Sequence, residues 1–126
     1  MISSIQKKKL LFRHKWRMFT IFVWNAYCRM TKKRVHCMSC KKNLKPADIE
    51  VDHIIPRSRA FLDPWNPGNA QILCHNCNME KGSKLHPDLD FRPFPFTVFQ
   101  ARLVEKWWFQ ENGKWFLKKG LLDKDE

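Results

Sequence analysis

Acidic residues are missing from the first 47 positions of this 126-residue chain. The earliest carboxylate is Asp48, and Lys7, Lys8, Lys9, Arg13, Lys15, Arg17, Arg29, Lys32, Lys33, Arg34, Lys41, Lys42 and Lys45 all precede it. Across the whole chain 24 Lys and Arg stand against 12 Asp and Glu, a net charge of +12. That balance favours a polyanionic partner, because phosphates neutralised by Lys and Arg release condensed counterions. A long hydrophobic run is also missing. The stretch from Met18 to Cys28 carries Asn25 and falls short of the roughly 20 apolar residues a membrane span needs. It lies behind a basic stretch with no small-residue cleavage site, which excludes a membrane span and argues against a secretory signal. A transit peptide would share the basic, acid-poor character, but this segment is rich in Trp and Phe and has few serines. The expectation is a soluble, cytoplasmic protein (in the nucleoid or a phage-infected cell), with an organelle as the alternative.

The chain is one domain's length, with space for one modest core and no internal repeat. It divides into three blocks: a basic, aromatic-rich helical extension over 1–34, a central core over 35–86, and a Pro-rich connector with a helical segment over 87–126. In the first block Phe12, Trp16, Phe19, Val23 and Tyr27 recur at helical spacing, which predicts a helix from about Ser4 to Met30 with that stripe turned to the core. Lys9, Arg13 and Arg17 lie on another face. In the third block the prolines of Pro87 to Pro95 exclude regular helix or central strand, and a second helix is predicted from Thr97 to Asn112, stopped by Gly113. Phe96, Phe99, Leu103 and Trp107 would line its inner face. The acidic tail, Asp123 to Glu126, reads as frayed and solvated.

The central block holds the chemistry. There are five cysteines, an odd number, and four form the pairs Cys37/Cys40 and Cys74/Cys77. In a chain without a secretory signal, two Cys-x-x-Cys pairs read as a metal site more than as disulfides. Thiolates at that spacing chelate one tetrahedral Zn²⁺, and four of them leave no open position, so such an ion would be structural. The pairs lie 33 residues apart, so a folded element must lie between them. Redox motifs are the competing reading, without the strand-then-helix context of a thioredoxin-like site. His36 and His75 are not needed as ligands, and Cys28 reads as a small buried side chain. Between and beside the pairs stand Asp52, His53 and Asn78. A carboxylate, an imidazole and an amide oxygen suit a hydrolytic site with a harder metal than zinc.

The string Cys37-x-x-Cys40, then Val51-Asp52-His53-Ile54-Ile55-Pro56-Arg57-Ser58, then Gly68-Asn69-Ala70-Gln71-Ile72-Leu73-Cys74-x-x-Cys77-Asn78-x-x-Lys81-Gly82 resembles the HNH endonucleases. The variant is the zinc-binding four-cysteine one whose last motif position is Asn. The resemblance implies an α+β fold: a small ββα-metal core stapled by the zinc site and flanked by an N-terminal and a C-terminal helix. It implies a hairpin, roughly Ile49 to Ile54 and Ala70 to Leu73, joined by a loop through Pro56 and Pro64, with a short helix from about His75 to Lys84 across it. It also assigns roles. Asp52 and Asn78 would hold the catalytic divalent ion, His53 would be the general base, and Asn69 would fix the hairpin loop. An Asn where the usual pattern has His puts oxygen in place of nitrogen and favours Mg²⁺ or Mn²⁺.

The chemistry asks for these residue types independently. Phosphodiester hydrolysis needs a deprotonated water, and an imidazole with an ordinary pKa of roughly 6.5 can take that proton at neutral pH. Adjacent strand residues face opposite sides, so Asp52 and His53 converge only if the strand ends or distorts there. Arg57, Arg59 and Lys81, with Lys7, Lys8, Lys9, Arg13 and Arg17, are the candidate nucleic-acid contacts; His86 reads as an exposed side chain. The expected activity is hydrolysis of DNA, by nicking or double-strand cleavage, leaving 5′-phosphate and 3′-hydroxyl ends. RNA is the alternative substrate, and a homodimer or a larger nucleoprotein assembly the possible state. A non-catalytic zinc-stapled binding module, or an accessory nuclease of a packaging, restriction or mobile-element machine, are the competing functions.

Overall fold

The computed structural model describes residues 3–57 and 65–118, apart from the side chains of residues 8–10 and 12. The expectations for the side chains of Lys8, Lys9 and Phe12, for Ser58, Arg59 and Pro64, and for the acidic tail lie outside the described residues.

The first helix, α1, runs Ser4–Met30. It starts on a capping box: the Ser3 hydroxyl accepts from the Gln6 backbone N–H at 3.1 Å while Ser3 N donates to Gln6 Oε1 at 2.9 Å. Neither Gly nor Pro interrupts it. Trp16, Phe19, Thr20, Val23, Trp24 and Cys28 are buried along its inner face, and Thr20 satisfies its hydroxyl on the Trp16 carbonyl at 2.9 Å. At the far end the chain turns back through Lys32 at φ 57°, with the Thr31, Lys32 and Lys33 N–H groups bonded to the carbonyls of Tyr27, Arg29 and Cys28.

A short antiparallel hairpin follows, β1 (Glu50–Asp52) on β2 (Gln71–Leu73), with Glu50 opposite Leu73 and Asp52 opposite Gln71. It is shorter at both ends than the sequence suggested. The helix α2, His75–Lys81, crosses it and stops at Gly82, whose φ of +56° suits the residue that ends a helix.

The last block departs from expectation. The helix α3 spans Phe94–Trp107, beginning among the prolines: Pro93 precedes it and Pro95 falls in its first turn, where a missing N–H costs nothing. It ends sooner than predicted, and Trp108–Glu111 (β3) and Lys114–Leu117 (β4) form a second antiparallel hairpin. Asn112 and Gly113 both take positive φ, 52° and 76°, as a tight two-residue hairpin turn requires. The Asn-Gly pair that reads as a helix stop is a hairpin turn. All three blocks contribute to one core, with Phe19 and Trp24 from α1, Met38 and Ile72 from the centre, and Phe96, Val104 and Trp108 from the end.

Candidate functional site

The first corner of the site is the cysteine cluster. The sulfurs of Cys37, Cys40, Cys74 and Cys77 all lie within 4.8 Å of one another, and Cys40 Sγ is 3.8 Å from Cys74 Sγ. Tetrahedral zinc with Zn–S bonds of about 2.3 Å sets sulfurs roughly 3.8 Å apart, so the spacing and the donors fit such an ion. Each pair forms a knuckle in which the second cysteine's N–H points back at the first sulfur: Cys40 N to Cys37 Sγ at 3.5 Å, Cys77 N to Cys74 Sγ at 3.4 Å. Burial would raise the Cys37 pKa, yet backbone hydrogen bonds around Cys40, Cys74 and Ser39 pull it down to about 7. Cys77 is pushed up to about 12 by burial and by the neighbouring cysteines. Sulfurs this close cannot all ionise without a cation among them. His36 and His75 are engaged elsewhere, with the Arg34 carbonyl and with Glu50. Cys28 is buried apart from the cluster, and burial raises its pKa.

The second corner is built where β1 ends. Asp52 is the last residue of the strand. Its side chain faces α2, and the next residue, His53, turns to α1. Asp52 is 8% exposed, and its carboxylate accepts from Gln71 Nε2 at 2.9 Å and pairs with the Lys81 ammonium at 3.2 Å. Burial raises its pKa, against the opposing pull of Gln71 and Lys81. Lys81 is itself only 2% exposed and also donates to the His53 carbonyl at 3.0 Å. The surface role expected for Lys81 is thus corrected: it is an internal cation. Asn78, one turn earlier on α2, donates from Nδ2 to Glu50 Oε1 at 2.8 Å, and His75 Nδ1 lies 2.7 Å from the other Glu50 oxygen. The Asn78 bond, followed by His75, lowers the Glu50 pKa against burial.

The His53 ring stacks on Trp16 of α1, with centroids 4.3 Å apart and planes 17° from parallel, and Trp65 meets its edge at 4.5 Å. Trp16 is pinned in turn by its Nε1–H donating to the Asn66 carbonyl at 3.0 Å. The Arg13 and Arg57 guanidinium carbons lie 5.2 and 5.0 Å from the centre of the Trp65 ring. His53 Nε2 is buried with no hydrogen-bond partner among the described residues. Burial, then the charges of Arg57, Lys81 and Arg13, lower the His53 pKa to about 4. That corrects the ordinary value assumed from sequence. Asn69 bridges the loop: its Oδ1 accepts from Ile55 N at 2.8 Å and its Nδ2 donates to Ile55 O at 3.1 Å.

Of the other candidate cations, Lys7 is exposed, and Arg17, also exposed, reaches the Ile49 carbonyl at 3.4 Å. His86 is exposed beside Asp88. Sequence reasoning missed Glu50, Gln71 and Trp65 and read Trp16 only as core. Glu50 lies two residues before Asp52 and so shares its face of the strand, and Gln71 is the residue opposite Asp52 in the ladder. Both were reachable once the register was set.

A zinc-ribbon-like corner joined to a strand, loop and helix that carry Asp, His and Asn defines the class: a metal-stapled ββα domain. Residues 37–93 match the family model for HNH endonuclease. Neither a curated protein nor a solved structure matches the chain. No helix among the described residues is long and apolar enough to cross a membrane.

Proposed function

We propose that the protein is a metal-dependent HNH endonuclease that hydrolyses DNA phosphodiester bonds, with His53 as general base and a structural Zn²⁺ on Cys37, Cys40, Cys74 and Cys77. Residues 35–86 form the nuclease core in this reading, with 1–34 and 87–126 as extensions built onto it. The observation that carries it is the His53 imidazole, fixed in plane by Trp16 and left with a buried, unpartnered Nε2. Leaving such a nitrogen unpaired costs about 1–3 kcal/mol, a cost a catalytic role explains. With its pKa lowered to about 4, the ring is neutral at pH 7 and a weaker base than a free imidazole. Phosphate anions drawn to Arg13 and Arg57 would offset the positive charges that depress it, strengthening the base when substrate is bound.

Asp52 and Asn78 would hold the divalent ion. Both offer oxygen donors, which suit Mg²⁺ or Mn²⁺, and Lys81 is the cation now paired with the Asp52 carboxylate. When bound, the ion supplies charge neutralisation at the phosphate and its leaving oxygen. Asn69 holds the loop after His53 by its paired bonds to Ile55, and Gln71 orients the Asp52 carboxylate. Removing the water proton opposite a 3′ leaving oxygen gives 5′-phosphate and 3′-hydroxyl ends. A non-catalytic zinc-stapled binding module is the second reading, favoured by the internal partners already held by Asp52 and Asn78.

The deciding experiment is cleavage of supercoiled plasmid with Mg²⁺, Mn²⁺ or no added divalent ion, comparing the natural chain with His53→Ala. We expect metal-dependent nicks or breaks that a ligase reseals, and a loss of several powers of ten in His53→Ala with DNA binding nearly unchanged. Full cleavage by His53→Ala at neutral pH would remove His53 as base. Absence of metal-dependent cleavage in the natural chain would leave the binding module.

A further inference from the structure

A second basic site lies at the C-terminal end of α1, beyond the Trp16–His53 stack at the middle of the helix. An open cleft of about 670 Å³ there is lined by Arg29, Lys33, Arg34 and Lys45, with Val35 and Leu44 among its apolar walls. No carboxylate lines it, and all four cations are exposed. Among the described residues none of the four forms an ion pair, whereas the other basic groups near the site, Lys81, Arg13 and Arg57, are committed to Asp52 or to the Trp65 ring.

A helix C-terminus ordinarily repels an anion, because its last carbonyls point outward. Here the Tyr27, Cys28 and Arg29 carbonyls are already bonded by the N–H groups of Thr31, Lys33 and Lys32 as the chain doubles back. That turn also brings Lys33 and Arg34 beside Arg29. The fold has masked the negative end of the helix and gathered unneutralised positive charge over it, which is chemistry for a phosphodiester backbone.

We propose that this cleft is a distal phosphate-binding site that grips the DNA backbone away from the point of cutting. The proposal rests on the nucleic-acid reading above and extends it to residues outside the catalytic corner. From Trp16 to Arg29 the helix rises about 20 Å, at ~1.5 Å per residue. A duplex advances ~3.4 Å per base pair, so the cleft would meet phosphates roughly six base pairs from the scissile bond. The C-terminal half of α1 then acts as a ruler, with His53 stacked at the middle of the helix and the anchoring cations at its end.

The test is equilibrium binding of duplex DNA in buffer without added Mg²⁺ or Mn²⁺ and without chelator, titrated with salt, for the natural chain and for Arg29→Gln/Lys33→Gln/Arg34→Gln/Lys45→Gln. A second variant, Lys33→Gln/Lys45→Gln, guards against a folding effect, and melting and zinc content are followed in both. Lys106→Gln/Lys114→Gln, on the C-terminal elements, controls for net charge. We expect the fourfold variant to bind at least tenfold more weakly at moderate salt, with the slope of log K against log salt shallower by about 3, the twofold variant to lose about half as much, and the control to change little. Duplexes cut back to fewer than about six base pairs on each side of the site should bind all variants alike. An unchanged slope in the fourfold variant, or an equal loss in the control, would overturn the proposal. Because no catalytic ion is added, failure of the nuclease reading shows up separately, as intact binding without metal-dependent cleavage.

Discussion

The two corners of the site are held by opposite means. In the cysteine corner four like side chains converge with no other cation among them, so the sulfurs are close only at a cost that a metal ion removes. In the Asp52 corner each polar group has found a partner from the protein itself: Asp52 with Lys81 and Gln71, Asn78 with Glu50. His53 Nε2 is the exception. The cysteine corner depends on an ion to be stable, whereas the Asp52 corner is held by bonds within the protein itself. The first corner should therefore collapse without metal and the second should not.

The largest effect expected from that contrast is at the cysteines. Structural zinc contributes on the order of 10 kcal/mol to domains of this kind, so Cys40→Ser/Cys77→Ser, or a strong chelator, should unfold the central block. Circular dichroism with metal analysis reads this directly, with about one zinc per folded chain expected. A zinc-free double variant melting like the natural protein would erase the distinction between the corners.

Next in size is the buried ion pair. Lys81→Met leaves the Asp52 carboxylate buried without its cation, which should cost about 3–5 kcal/mol in denaturant unfolding. Asp52→Asn/Lys81→Met removes both charges and should recover most of the loss. If Lys81 occupies the position that the divalent ion takes, Mn²⁺ should stabilise Lys81→Met far more than the natural chain, by about 2.7 kcal/mol at a hundredfold excess over its dissociation constant. Equal protection of both proteins would mean that ammonium and ion do not compete.

Much of this architecture was legible before any coordinates. The spacing of Trp16, Phe19, Val23 and Tyr27 specified α1, a local signal carried by residues a few positions apart, while the hairpin and the helix after it were what the resemblance to HNH endonucleases implied. What stayed hidden depended on distant partners. That Trp16 would stack on His53, 37 positions later, is set by how α1 lies on the loop, which no periodicity encodes. The burial of Lys81 was invisible for the same reason, since its partner Asp52 comes from the other side of the hairpin. The C-terminal hairpin is a different case. Asn112-Gly113 was a readable turn signal, and Trp108, Phe109, Trp115 and Phe116 are good strand formers, but a helix pattern from Phe96 to Trp107 was extended past its true end.

The smallest expected effect compares the buried pair with a half-exposed one. Asp90 and Arg92 form a two-pronged contact, Nε to Oδ1 at 2.9 Å and Nη2 to Oδ2 at 2.8 Å. Arg92 Nη1 continues to the Gly68 carbonyl and to Gln100 Oε1, tying the Pro-rich segment to the hairpin loop and to α3. Burial alone would raise the Asp90 pKa, but the Arg92 hydrogen bonds and charge outweigh it and hold the pKa below its ordinary 3.8. A carboxyl whose pKa is depressed by folding contributes stability above its unfolded pKa and loses it as the pH falls through the lower, folded value. Asp90→Asn should therefore cost about 0.5–1 kcal/mol at pH 7, and the gap between the two proteins should begin to narrow as the pH falls below about 4 and close only below the depressed, folded pKa. Salt should narrow the same gap at neutral pH, because this pair is partly open to solvent, while the Lys81→Met deficit should hardly respond. A gap that persists unchanged to pH 2, measured by denaturant melts before global acid unfolding, would show that Asp90 acts through its neutral hydrogen bonds and not through its charge.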